Sequence, residues 1–171
     1  YPNNVDKISW CGGSTWVVQC GDQIDRCRPD GWKKNCIEDW SDVVEDEGSN
    51  MRIIKIFQNL DVEARKVGGR VLGLIGNHEL MNIMGIFDYV SNMGMRHFKT
   101  FVERKEYFKQ GGDFCKYLAC GWNPVIKINN CLFCHGGLSR TISNKYSIKE
   151  INEMMRSRLY SNKFSLHDIN F

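Results

Sequence analysis

A chain of 171 residues with 42% hydrophobic and 25% charged residues has the make-up of one globular domain, expected here to span 1–171. Its 23 basic and 20 acidic residues leave a formal charge of +3 and are interspersed without a lysine or arginine block, which argues against nucleic acid as a partner. No apolar run reaches the roughly 18 to 20 residues of a membrane span, and YPNNVDKISW lacks a signal peptide's charged start and apolar stretch, so a soluble, cytoplasmic protein off the membrane is expected.

Thr15 to Cys20 (TWVVQC) is a short β-rich run ending at Gly21-Asp22, which predicts a buried strand feeding a loop. Residues 28–50 turn polar and acidic without periodicity and are expected to form a surface insertion. Ile53, Ile56, Phe57, Leu60, Ala64 and Val67 then fall at helical spacing, and Gly68-Gly69 supplies the stop before a strand over Arg70 to Ile75. Further on, Phe98 to Gln110 is expected to be helical. Val125 to Cys134 reads as a hairpin turning at Asn129-Asn130, and Ser147-Ile-Lys-Glu150 is a capping box opening a helix to about Tyr160. Strand, loop, helix, strand, loop is the order of an α/β unit, in which functional loops gather at the carboxyl ends of strands.

Eight cysteines in a chain of this length and apolar content are expected to be buried, reduced thiols. Cys131-Leu-Phe-Cys134-His135 spells a c-type haem attachment motif, but on a strand Cys131 and Cys134 face opposite ways, which excludes haem.

Three segments carry chemistry: Gly21-Asp-Gln-Ile-Asp-Arg26, Gly76-Asn-His-Glu79 and His135-Gly-Gly137. Glycine beside each polar group lets the backbone turn sharply at a strand end. Asp22 offers an anionic oxygen, Asn77 a neutral carbonyl oxygen and His135 an imidazole nitrogen, a mixed donor set suited to manganese, iron or zinc. Taken singly, each is an ordinary turn or strand-end residue. Together, they require a sheet that brings distant strand ends to one place.

These segments, met as GDQIDRC, GNHE and HGG, resemble the G-D-x-x-D-R-G, G-N-H-E and H-G-G patterns of the calcineurin-like metallophosphoesterases, phosphoprotein phosphatase type. GNHELMNIMG with Asp88-Tyr89-Val90, and LFCHGGL with Glu150-Ile-Asn152, look most like the Shewanella-like phosphatases. The resemblance implies an α/β fold of the metallophosphoesterase type, a β-sandwich flanked by helices and here partial. It implies two divalent or trivalent metal ions (manganese, iron or zinc), with Asp22 bridging them and Asn77 and His135 on the second. His78 would protonate the leaving oxygen, Asp25 would orient its imidazole, and Arg26 and Asn77 would hold the phosphate. Glu79 is assigned to loop support.

The family's opening D-x-H strand and its later histidine have no counterpart here. His97 and His167 are read as ordinary surface or packing residues, and the chain is expected to be an internal stretch of a longer protein. Cys27 stands where the family has glycine; a packing substitution is the plain reading, and pairing with the neighbouring Cys11, Cys20 or Cys36 is left open by the sequence. The leading expectation is a phosphomonoesterase acting on a phosphoprotein serine, threonine or tyrosine, or on a small phosphomonoester. A non-catalytic interaction protein that keeps the fold, and a phosphodiesterase or nucleotide hydrolase, are the competing readings. The acidic insertion at 28–50 offers a docking surface for a protein partner, the plainer reading being a solvated loop.

Overall fold

Glycine and asparagine mark the ends of most elements. The computed structural model describes residues 8–27 and 48–160. Strand β1 (Trp16–Gln19) runs out at Gly21, whose φ of +89° suits glycine and few other residues. Helix α1 (Asn50–Arg65) stops at Gly68, φ +79°, where the Gly69 amide donates back to the Ala64 carbonyl at 2.8 Å. Strand β2 (Arg70–Leu74) follows, and helix α2 (Asn77–Ile83) starts directly after Gly76. Helix α3 (Phe101–Phe108) is capped by the Thr100 hydroxyl, which accepts the Glu103 amide at 3.1 Å. Helix α4 (Asp113–Gly121) leads into the two-residue strand β3 (Trp122–Asn123). Strands β4 (Val125–Ile128) and β5 (Cys131–Cys134) form the expected hairpin, with Asn129 at φ +52° in its turn. Helix α5 (Arg140–Lys145) precedes α6 (Ile148–Tyr160). Ser147 and Glu150 close the capping box at the start of α6, the Ser147 amide donating to Glu150 Oε2 at 2.7 Å.

Strands β1, β2 and β3 form a parallel sheet in that order, and β4 and β5 a separate antiparallel pair. The mixed α/β class is therefore as expected. Alternation along β2 divides the core. Ile75 joins the helical side, where Ile54, Leu80, Ile83, Phe108, Phe114, Leu118, Trp122, Met155 and Leu159 pack together. Leu72 and Leu74 face the other way and meet Ile126, with Val18, Ile128 and Phe133 around them. Because β1 and β2 are parallel, the loops after them emerge at the same end of the sheet, and β5 delivers its tail there too.

Several expectations need correction. Strand β1 is an edge strand, not a buried one: Trp16 is 49% and Val17 37% exposed, because no strand pairs with its outer side among the described residues. On α1 the buried apolar positions are Ile54 and Ala64, and Val67 lies exposed beyond the helix end. The helix begins at Asn50, so it takes the last residue of the expected insertion, whose residues 28–47 lie outside the described ones, as does His167. Helix α3 is shorter than expected, and α4 was not foreseen. Most of the described cysteines are not buried: Cys11, Cys20, Cys120 and Cys131 are exposed. Cys115 is buried, and burial pushes its thiol up to about 12. Cys27 is buried and disulfide-bonded rather than a packing substitution, with its partner outside the described residues. Among the described residues no helix is long and apolar enough to cross a membrane.

Candidate active site

Two loops and a strand tail meet at the carboxyl end of the parallel sheet. The loop after β1 is tightly wound: Gly21, Asp22 and Asp25 have φ of +89°, +54° and +65°. The two aspartates occupy a region that side chains rarely adopt, and such strain persists only where surrounding contacts hold it. Glu79 supplies them. Its carboxylate, fully buried on α2, accepts the amides of Asp22 (3.0 Å) and Gly76 (2.8 Å) on Oε2 and of Gln23 (2.7 Å) on Oε1. Burial pushes this carboxyl above the usual range, three amide donors pull the other way, and the charge of Asp22 adds to the upward push. Glu79 thus ties the loops after β1 and β2 together, the supporting role expected of it.

Glycine at 76 is required by this closeness. A Cβ there would sit 2.2 Å from Asp22 Oδ1 and 2.7 Å from the Asp22 amide. A Cβ at Gly21 would come within 2.8 Å of His135 Nδ1.

Asp22, Asn77 and His135 converge. His135 Nε2 lies 3.0 Å from Asn77 Oδ1 and 3.2 Å from Asp22 Oδ2, while its Nδ1 is 2.7 Å from the Cys20 carbonyl oxygen. A carbonyl can only accept, so Nδ1 carries a proton donated to Cys20. The other ring nitrogen of a neutral imidazole is then an acceptor facing a carboxylate oxygen. Acceptors gathered in this way are reconciled by a cation, proton or metal, and the fixed tautomer with an outward lone pair is that of a metal-ligating histidine. The donor set therefore fits a hard or borderline metal ion. Among the described residues no three His, Cys, Asp or Glu side chains gather into a metal site, the third donor here being the neutral amide of Asn77.

Beside this trio lies a second group. His78, near the start of α2, donates its backbone amide to Asp22 Oδ1 at 3.1 Å, and its Nε2 is 4.0 Å from Asp22 Oδ2. Its Nδ1 faces Asp25 Oδ2 at 3.2 Å. The Tyr89 ring meets its imidazole edge-on, with centroids 4.9 Å apart. Asp25 also accepts from Asn82 Nδ2 at 2.6 Å, and the Arg104 guanidinium is 3.6 Å from its Oδ1. Burial pulls that guanidinium down to about 10, with the charge of Asp25 opposing, so it stays charged near neutral pH.

All six sequence-derived site residues thus lie on these loops, and five are in mutual contact. Arg26 is the one of the six that is exposed, set between buried Asp25 and Cys27. His97 stands apart and meets the Gly48 carbonyl at 3.3 Å. Sequence reasoning missed Asn82 and Arg104. For Asn82 a signal existed, since position 82 is one helical turn after His78 and shares its face.

No protein-family model matches the chain. It is 31% identical over 161 residues to Shewanella-like protein phosphatase 1 of Plasmodium berghei, covering 92% of this chain and 38% of that protein. With Shewanella-like protein phosphatase 2 of Arabidopsis thaliana it shares 35% identity over 94 residues, 55% of this chain and 19% of that one. Among solved structures, the cold-active protein-tyrosine phosphatase of a psychrophilic Shewanella species superposes with a TM-score of 0.65 at 27% identity, covering 88% of this chain and 40% of that one. Each match spans well under two thirds of its relative's length, while most of this chain is covered by the Plasmodium and Shewanella proteins. The chain is related to the Shewanella-like protein phosphatases.

Proposed function

We propose that these residues are part of the active site of a metal-dependent phosphomonoesterase that acts on phosphorylated protein side chains. The observation that carries the reading is the convergence of Asp22, Asn77 and His135 beside a buried His78–Asp25 pair. Relatives named as protein phosphatases, one a tyrosine phosphatase, support the substrate class. In this reading the two sheets that share the Leu72–Leu74–Ile126 cluster are the portion of a metallophosphoesterase sandwich that this chain contains.

Asp22, Asn77 and His135 would hold metal. When bound, such ions supply Lewis-acid stabilisation of phosphate oxygens and make water more acidic. The remaining steps belong to the side chains. Asp25, buried, accepts the Nδ1–H hydrogen bond of His78 and so turns Nε2 toward the Asp22 side, where the substrate would lie. From there Nε2–H gives its proton to the departing oxygen, which spares the reaction a strongly basic alkoxide. Arg26, exposed at the loop's edge and always charged, binds equatorial phosphate oxygens through its planar fork. Asn77 assists from the other side.

The test is metal analysis of the full-length protein together with hydrolysis of an aryl phosphate in added manganese. Bound metal and turnover, both lost in His135→Ala, are expected. A folded full-length protein with neither supports the non-catalytic reading instead. Phosphotyrosine peptides, phosphoserine peptides and a dinucleotide assayed in parallel separate a protein phosphatase from a phosphodiesterase or nucleotide hydrolase.

A further inference from the structure

An arginine on a short helix between Glu103 and Lys105 would ordinarily reach into water. Arg104 does the opposite. It is 1% exposed, and its guanidinium carbon stands 4.6 Å from the Phe108 ring centroid, 5.4 Å from Phe98 and 5.6 Å from Phe87. Its polar contacts run toward the site. Nε and Nη2 donate to Asn82 Oδ1 at 3.2 and 2.6 Å, and Nη1 donates to the Gly94 carbonyl at 2.8 Å. Nη2 lies 3.6 Å from Asp25 Oδ1.

The chemistry of these partners fixes a direction. A guanidinium has donors only, so Asn82 can present only its oxygen to it. The amide nitrogen is thereby aimed the other way, where it donates to Asp25 Oδ2 at 2.6 Å and to the His78 carbonyl at 3.0 Å. A flipped amide would set N–H against guanidinium and carbonyl against carboxylate, so the orientation follows from the neighbours. Asp25 Oδ2 is the oxygen that faces His78 Nδ1 at 3.2 Å. One chain of contacts, Arg104 to Asn82 to Asp25 to His78, connects an aromatic cage, built by Phe108 of α3 with Phe87 and Phe98 before it, to the imidazole.

We propose that Arg104 is a positioning residue for His78, acting through Asn82 and Asp25 without touching substrate. The proposal rests on reading His78 as the proton donor to the leaving oxygen. Packing alone does not account for a charge here, because a buried ion pair gives a fold no more stability than well-packed apolar side chains of the same volume. What leucine or methionine could not do is hold the Asn82 amide in one orientation and, through it, aim the Asp25 carboxylate at His78.

A proton donor matters most when the leaving oxygen is basic, which gives a readout that a scaffold role would not move. In the full-length protein, Arg104→Gln and Asn82→Ala are compared with wild type on phenyl phosphate, whose leaving group needs a proton, and on dinitrophenyl phosphate, whose leaving group does not. Expected is a loss in kcat of about 100-fold on the phenyl ester and under about 5-fold on the dinitrophenyl ester, with KM nearly unchanged for both. In a His78→Asn background, Asn82→Ala should lower phenyl phosphate turnover by less than about 2-fold further, since the two act as a unit. Equal losses on the two esters in the single variants overturn the proposal while leaving the phosphatase reading intact. Failure of both variants to fold, read by circular dichroism, overturns it in favour of a scaffold role. A wild-type protein that hydrolyses neither ester overturns the functional reading itself, and the proposal with it.

Discussion

The candidate site has a dry half and a wetter half. His78 and Asp25 have side chains 7% and 0% exposed, and Glu79, Asn82 and Arg104 around them are fully buried. Asp22 and His135, across the same loop, have side chains 23% and 26% exposed. In the dry half every charge is met by protein: Glu79 by three amides, Asp25 by Asn82, His78 and Arg104. The wetter half instead turns acceptors toward one another, Asp22 and Asn77 oxygens around an imidazole nitrogen. The contrast teaches that folding completes one half by itself, whereas the other is arranged for something that arrives later. Substitutions in the first should therefore act mainly on stability and turnover, and those in the second mainly on binding.

The strongest break of that contrast is Glu79→Ala against Asp22→Asn. Removing the Glu79 carboxylate strands three amides, two of them buried, so urea denaturation should show a loss of about 3–5 kcal/mol. Asp22→Asn should shift the same measurement by less than about 1 kcal/mol yet lower metal affinity sharply in calorimetric titration. Equal destabilisation by the two would erase the distinction. Next in size, His78→Asn should lower kcat by about 100-fold or more, worth about 3 kcal/mol, with metal content unchanged. Loss of metal in that variant would mean that His78 belongs to the wetter half. Gly76→Ala probes the seam between the halves. Its Cβ meets Asp22 at 2.2 Å, so a loss of about 2 kcal/mol with weakened metal binding is expected in the same two measurements.

The smallest effect lies away from both halves and sets the baseline. Asp61 accepts the Val71 amide at 2.8 Å, Arg70 Nε at 3.0 Å and Arg65 Nε at 2.8 Å. Burial alone would raise its carboxyl, but these bonds outweigh it and hold the group below its ordinary value. A depressed folded pKa contributes stability above the unfolded value that is lost as pH falls through the folded one. Asp61→Asn should therefore cost about 1 kcal/mol or less at pH 7 and flatten the fall in stability below about pH 4, in denaturation series run at several pH values.

How far the sequence discloses this arrangement depends on the kind of signal each residue leaves. Asp22, Asn77 and His135 are legible because each stands beside glycine at the end of an apolar run, and a parallel sheet brings such ends together. The hairpin at Asn129-Asn130 and the Ser147–Glu150 capping box are legible because their turn chemistry is local. Arg104 is not, since its neighbours are charged and its burial depends on three phenylalanines contributed from around α3. Helix α4 hides between glycines at 111, 112 and 121 that read as breakers. The exposure of β1 is equally hidden, because TWVVQC reads the same whether or not a further strand lies alongside, and the cysteines at 11, 20 and 36 leave the pairing of Cys27 open in the sequence.

The Glu79 clamp has a mechanical consequence. Backbone amides up to 57 positions away in the sequence hang on one carboxylate, so the loops after β1 and β2 can part only by uncovering an anion in the interior. Those two loops form a rigid jaw. Freedom to hinge is left to the third contributor, where His135 is followed by Gly136 and Gly137 with φ of +68° and +111° and open space where a Cβ would be.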